Sequence, residues 1–153
     1  MPKENPVKTS EKTTPKLVQK KIIPAKRNEV FEAWTKPEIM RQWLIPPGWS
    51  AVTSNDLRVG GSYSHEMTNP GTDVSDCGLH TGEYLEIIPP EKLVFTWNTP
   101  SVKDSRVTVE LHDLGNSTEL TLTHEFLETE ELRKGHTAGW ASCLSNLETH
   151  FSK

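Results

Sequence analysis

The chain has 153 residues and a mass of 17.3 kDa, a length that suits one domain. Apolar residues make up 33% and charged residues 25%, which excludes wholesale disorder; the mean hydropathy is −0.59, and no apolar run approaches the roughly 20 residues of a membrane-spanning helix. The net charge of −4 is uneven, with ten Lys/Arg against five Glu in residues 1–41 and seven against sixteen Asp/Glu in residues 42–153, so the body is too acidic for a nucleic-acid partner.

Residues 1–15 contain only Met1 and Val7 as apolar side chains and three prolines. A disordered tail is expected there, followed by a single domain over 16–153. The first six residues lack the apolar core of a secretory signal. Cys77 and Cys143 make no disulfide framework. A cytoplasmic protein is expected.

The stretch 16–23, KLVQKKII, is rich in β-branched residues and predicts a strand near a sheet edge, ended by Pro24. Val30, Phe31 and Trp34 then recur at helical spacing over 25–34. A second short helix is predicted over 36–43, turning Ile39, Met40 and Trp43 inward. Thr35 and Glu38 suggest a capping box at its start, with Pro37 in the first turn. LIPPGWS at 44–50 cannot be regular, and it carries Trp49.

From here the period changes to two. Strands are predicted over 51–55 and 62–68, joined through Gly60-Gly61, with Tyr63, His65 and Met67 on one face. A polar loop follows at 69–78. Further strands are predicted over 79–88, 93–98, 105–114 and 118–126, with a longer loop around Pro100. The short connections imply an antiparallel meander. A long helix is predicted from 128 to about 151, with Leu132, His136, Trp140, Cys143, Leu144, Leu147 and Phe151 in one apolar stripe. Glu128, Glu130 and Glu131 fall in its first turn, where carboxylates favour the dipole. That helix is the only element long enough to cover the sheet, and a gap is expected where the twisted strands splay from it.

Several stretches carry a resemblance. Pro24-Ala25, the run from Val30 to Glu38, and Trp43 followed by Pro46 and Gly48 are similar to the opening of bacterial homologues of the heat-shock-protein-90 ATPase activator, members of the SRPBCC (START-like) superfamily. Asp56 to Gly61, Gly82 to Ile87, Pro89 to Trp97, Leu120 to His124 and Gly139-Trp140 agree in order. The resemblance covers about residues 17–151. At Trp43-Leu44-Ile45-Pro46 the chain departs from the two tryptophans, glycine and proline usual in the family.

The resemblance implies an α+β helix-grip fold. A curved antiparallel sheet of about six to seven strands would wrap a long C-terminal helix around a cavity for apolar or amphipathic small molecules. It does not imply one activity. Members that stimulate the chaperone usually carry a separate N-terminal domain, which a tail of about 15 residues does not supply.

The side chains expected to meet a ligand are Trp43, Trp49, Tyr63, His65, Tyr84, Trp97, His124, His136, Trp140 and Leu144. His124 follows the inward period of Leu120, Leu122 and Phe126, and His136 lies on the helix stripe. Two facing imidazoles can orient a polar group or act as acid and base. The plainer alternative makes each a core histidine bonded to backbone. No Cys or His pair has zinc-type spacing, and neither a metal, a cofactor nor a catalytic residue is expected. Binding of a small apolar or amphipathic ligand is the leading expectation. The alternatives are a chaperone-interaction module, tied to stress response, and an enzyme using cavity histidines.

Overall fold

A computed structural model of the chain describes residues 16–45, 48–68 and 79–152. The tail expected at 1–15, the loop at 69–78 with Cys77, and Pro46 and Pro47 lie outside the described residues.

Strand β1, Leu17–Ile23, buries Leu17 and Ile23 and exposes Val18 and Ile22. Two short helices follow, α1 at Arg27–Ala33 and α2 at Pro37–Trp43. Strands β2 (Ser50–Asn55), β3 (Ser62–Thr68), β4 (Leu79–Ile88), β5 (Lys92–Thr99), β6 (Val102–Asp113) and β7 (Thr118–Glu125) come next, then the long helix α3, Glu130–Phe151. The sheet order is β1-β7-β6-β5-β4-β3-β2, and every neighbouring pair is antiparallel. The first strand thus returns to pair with the last, Leu17 opposite His124 and Ile23 opposite Thr118. This is the helix-grip architecture: a seven-stranded curved sheet, two short helices after the first strand, and a long helix across the inner face.

The core forms where period two meets period 3.6. Leu93, Phe95 and Trp97 of β5, Val107 and Val109 of β6, and Leu120 and Leu122 of β7 point inward onto Trp140, Leu144 and Leu147 of α3. The short helices add Trp34 and Trp43, whose rings meet edge-on at 4.7 Å. Tyr63 lies opposite Gly82 in the β3–β4 register. A side chain at Gly82 would collide with the Thr96 carbonyl oxygen and the Tyr63 ring, so the tyrosine fills the place of the missing side chain.

Three local expectations are corrected. Thr35 forms no capping box with Glu38. Its hydroxyl donates back to the Phe31 carbonyl at 3.0 Å, closing the end of α1, and Lys36 sits at the N-cap of α2 without a side-chain bond. The long loop around Pro100 is a tight turn, because Thr99 pairs with Val102. Thr99 Oγ1 accepts from the Ser101 N–H, and Asn98 Oδ1 accepts from the N–H of Asp104, which takes a φ of 59°. Those side-chain acceptors let β6 begin three residues earlier than the apolar pattern suggested. The long helix starts at Glu130, because the Thr129 hydroxyl caps it by accepting from the Leu132 N–H at 3.1 Å.

Candidate functional site

The second half of α3 buries Leu144 and Leu147, whereas the turns before Trp140 are exposed or half-buried. Between α3, along Glu131–Asn146, and the ends of β3, β4 and β5 lies a cleft of about 420 Å³. Trp49, Trp97 and Trp140 form most of its wall, with Leu44, Met67, Leu132 and Cys143. Gly135 and Gly139, one helical turn apart, line it too, and an added Cβ at either would meet nothing within 4 Å. The polar groups are few: His80, His136, Thr99, Ser101, Ser142 and Asn146, with Glu131 the sole charged side chain among the described lining. An apolar hollow with a few convergent polar groups is the usual form of a small-molecule site.

Deeper in, a void of about 20 Å³ lies among Trp34, Tyr63, His65, Tyr84 and Phe95, sharing Leu44, Trp97 and Trp140 with the cleft. A wider hollow of about 650 Å³ on the outer face of the sheet is lined by groups such as Ser54, Asp56, Ser64, Glu83 and Asp104. It lies away from the histidines and is a polar surface depression.

The imidazoles are set apart by their bonds. The indole Nε1–H of Trp140 donates to His124 Nδ1 at 3.0 Å, so Nδ1 carries no proton. The Ser105 hydroxyl donates to the Trp97 carbonyl at 2.6 Å, so its oxygen accepts from His124 Nε2–H at 2.9 Å. His124 is thereby a neutral imidazole in one tautomer, with both nitrogens committed. Burial, with His136 nearby, lowers its pKa to about 3. Ser105 and His124 do not form a nucleophile–base pair: the serine proton points away from the histidine, and a donor occupies the position where a triad has its carboxylate.

His136 is bonded differently. Its Nδ1 lies 2.9 Å from the Leu132 carbonyl one turn back, an acceptor, so Nδ1 carries the proton. Its ring stands perpendicular to that of His124, centroids 5.1 Å apart. The His80 ring leans against Trp97, centroids 5.1 Å apart and planes tilted by 58°, and burial, then the proximity of His136, holds its pKa at about 4. His65 faces His80 across the β3–β4 register; its Nδ1 lies 3.2 Å from Thr53 Oγ1, and burial lowers it to about 4. Burial raises the phenols of Tyr63 and Tyr84. It also pushes the Cys143 thiol up to about 12, leaving little thiolate for nucleophilic work. No three His, Cys, Asp or Glu side chains converge as a metal set among the described residues.

Of the ten side chains expected from sequence, Trp49, Trp97, His136 and Trp140 meet in the cleft. Tyr63, His65 and Tyr84 line the inner void instead. Tyr63 donates to the Thr96 carbonyl at 2.6 Å, and Tyr84 accepts from Asn55 at 3.0 Å. Trp43, His124 and Leu144 lie outside both cavities. Trp43 is wholly buried and donates to the Ala33 carbonyl at 2.9 Å. Sequence reasoning missed His80, Leu44 and Met67 as cleft residues. The period of β4, with His80, Gly82 and Tyr84 on one face, carried the signal for His80.

The family description "Activator of Hsp90 ATPase homolog 1-like protein" matches residues 24–152. The chain belongs to this family. Among solved structures, this activator-homologue chain resembles protein CV1439 from Chromobacterium violaceum, at 23% identity and a TM-score of 0.79, over 90% of this chain and 98% of that one. It also resembles protein NE0264 from Nitrosomonas europaea, at 25% identity and 0.72, over 88% and 92%. CalU16 from Micromonospora echinospora is similar at 25% identity and 0.68, over 90% and 76%. No curated protein matched. Membership of the activator-homologue family goes with a fold of ligand-binding or Hsp90-ATPase-activator type. No described helix is long and apolar enough to cross a membrane.

Proposed function

We propose that this protein binds a small apolar or amphipathic molecule in the cleft between the sheet and α3. The observation that carries the reading is the tryptophan-walled hollow of about 420 Å³, which needs no rearrangement to admit a ligand. Burying about 300 Å² of apolar ligand at roughly 25 cal/mol/Å² gives about 7 kcal/mol gross. Association and ordering costs come off this, so the affinity is weaker than the roughly 10 μM that 7 kcal/mol alone would give. Trp49, Trp97, His136 and Trp140 would touch the ligand, while Tyr63, His65 and Tyr84 would support the wall from behind.

Titration with a panel of fatty acids and aromatic compounds, followed by two-dimensional NMR, tests this. The indole N–H resonances of Trp49, Trp97 and Trp140 should shift together and saturate. A bound ligand at one hundred times its dissociation constant should also add about 2.7 kcal/mol to stability. Shifts confined to the outer face of the sheet would defeat the reading.

The family match favours a second reading, contact with heat-shock protein 90. It predicts a rise in the ATPase rate of the purified chaperone when the protein is added. Among the described residues the large apolar side chains exposed on the sheet are spread along it: Val18 and Ile22 are on one edge strand, Val52 is on the other, Leu79, Leu85 and Ile88 are spaced along β4, and Glu66 stands between Val52 and Leu79. The cleft therefore remains the better supported site.

A further inference from the structure

We infer that the cleft selects an uncharged amphipathic molecule bearing a hydroxyl group, whose O–H donates to His136 Nε2. The inference rests on the cleft being a binding site and names the chemistry it takes. A carbonyl oxygen can only accept, so in the uncharged ring the 2.9 Å contact with Leu132 puts the proton of His136 on Nδ1. The distal nitrogen, on the ring edge away from the helix backbone, is then left with a lone pair. No partner for it occurs among the described residues. His124 cannot play this part, because Trp140 and Ser105 occupy both of its nitrogens.

The wall behind the cleft also holds polar atoms without partners, covered too deeply for a guest to touch as the wall stands. Trp97, only 7% exposed, is part of the cleft wall, and its Nε1–H has no partner among the described residues; nor has His80 Nδ1 beside it. Buried donors without acceptors are rare in folded proteins. Trp34 Nε1, beside the inner void, is unpaired in the same way, so the choice of a hydroxyl rests on His136 Nε2.

Charge narrows the class further. The described lining holds no Lys or Arg. A carboxylate would find no fixed cation there to offset its desolvation. A cationic head would find only Glu131, which is exposed at the rim and whose field is screened by water.

Three naphthalenes of one shape test this by isothermal titration calorimetry: 2-naphthol, 2-methoxynaphthalene and 2-naphthoate. The methyl ether keeps the oxygen as an acceptor and removes the O–H; the naphthoate adds a negative charge. The wild-type protein should bind 2-naphthol about tenfold more tightly than the ether, the value of one net hydrogen bond. The naphthoate should bind more weakly than either. In His136→Phe the naphthol preference should vanish while affinity for the ether changes by less than about threefold. His136→Gln, which keeps an acceptor, should retain part of the preference.

Equal binding of naphthol and ether by the wild type overturns the inference even if His136→Phe fails to fold. So does a preference that survives in His136→Phe, since it would then come from size. Tighter binding of the naphthoate overturns the exclusion of anions. If none of the three binds and none shifts the cleft tryptophans, the cleft reading itself falls; if all bind alike, only the hydroxyl selection does.

Discussion

Protonating His124 at Nδ1 would set a new N–H against the Nε1–H of Trp140, two donors 3.0 Å apart in the core. The unfolded chain has no such conflict and takes up the proton near the ordinary value of about 6.5. The folded values are about 3 for His124 and about 4 for His65 and His80, all lowered first by burial. Between about pH 6.5 and 4 the unfolded state binds more protons, so stability present above 6.5 is lost as the pH falls. Each histidine contributes up to roughly 1.4 kcal/mol per pH unit in that window. Urea titrations at pH 7, 6 and 5 should show a falling midpoint, and in His124→Leu the fall should be shallower by one histidine's share. Parallel curves would show that His124 is not held neutral. The same substitution should lower stability at pH 7 by about 1–3 kcal/mol, because the Trp140 N–H loses its acceptor. The sequence placed His124 and His136 on apolar faces, and the structure agrees in burying one and half-burying the other. It could not divide their roles, because that depends on an indole 16 residues from His124 and a serine on the neighbouring strand.

The elements were more legible than their ends. Alternation of period two, read against Gly and Pro breaks, gave the meander, and the period of 3.6 gave α3. The errors lie where a side chain takes over a backbone bond: Thr35 turning back onto α1, Asn98 and Thr99 holding the turn into β6, and Thr129 capping α3. Such bonds move boundaries without changing the pattern of apolar residues. Two substitutions test this level. Thr129→Ala removes the cap and should cost about 1 kcal/mol without moving the cleft resonances. Gly82→Ala should cost about 2–3 kcal/mol, since Thr96 and Tyr63 leave no room between paired strands. A Gly82→Ala protein of wild-type stability would mean that the β3–β4–β5 crossing relaxes freely. The β4 register already shifts between Tyr84 and Glu86, so the place for such relaxation is known.

At the scale of the whole molecule, the order of elements was enough to place a hollow beside the long helix. What lines the hollow depends on which turns of that helix are buried. The division of charge also takes on a meaning. Lys16 and Lys21 of the basic N-terminal region reach Glu125 and Glu148, tying the first strand to the last strand and to α3. These are exposed pairs, worth about 0–1 kcal/mol each. The two ends of α3 are unequal. Its second half buries Trp140, Leu144 and Leu147, while its first half holds Gly135 and Gly139 over open space. A glycine inside a helix costs about 1 kcal/mol relative to alanine. The wall of the cleft should therefore open by local fraying, on its own timescale, while the sheet stays intact. Amide hydrogen exchange would record this as fast exchange from about residue 133 to 139 and slow exchange beyond Trp140. A ligand seated in the cleft should then slow the first stretch, so that occupancy of the cleft is read from the helix's own exchange.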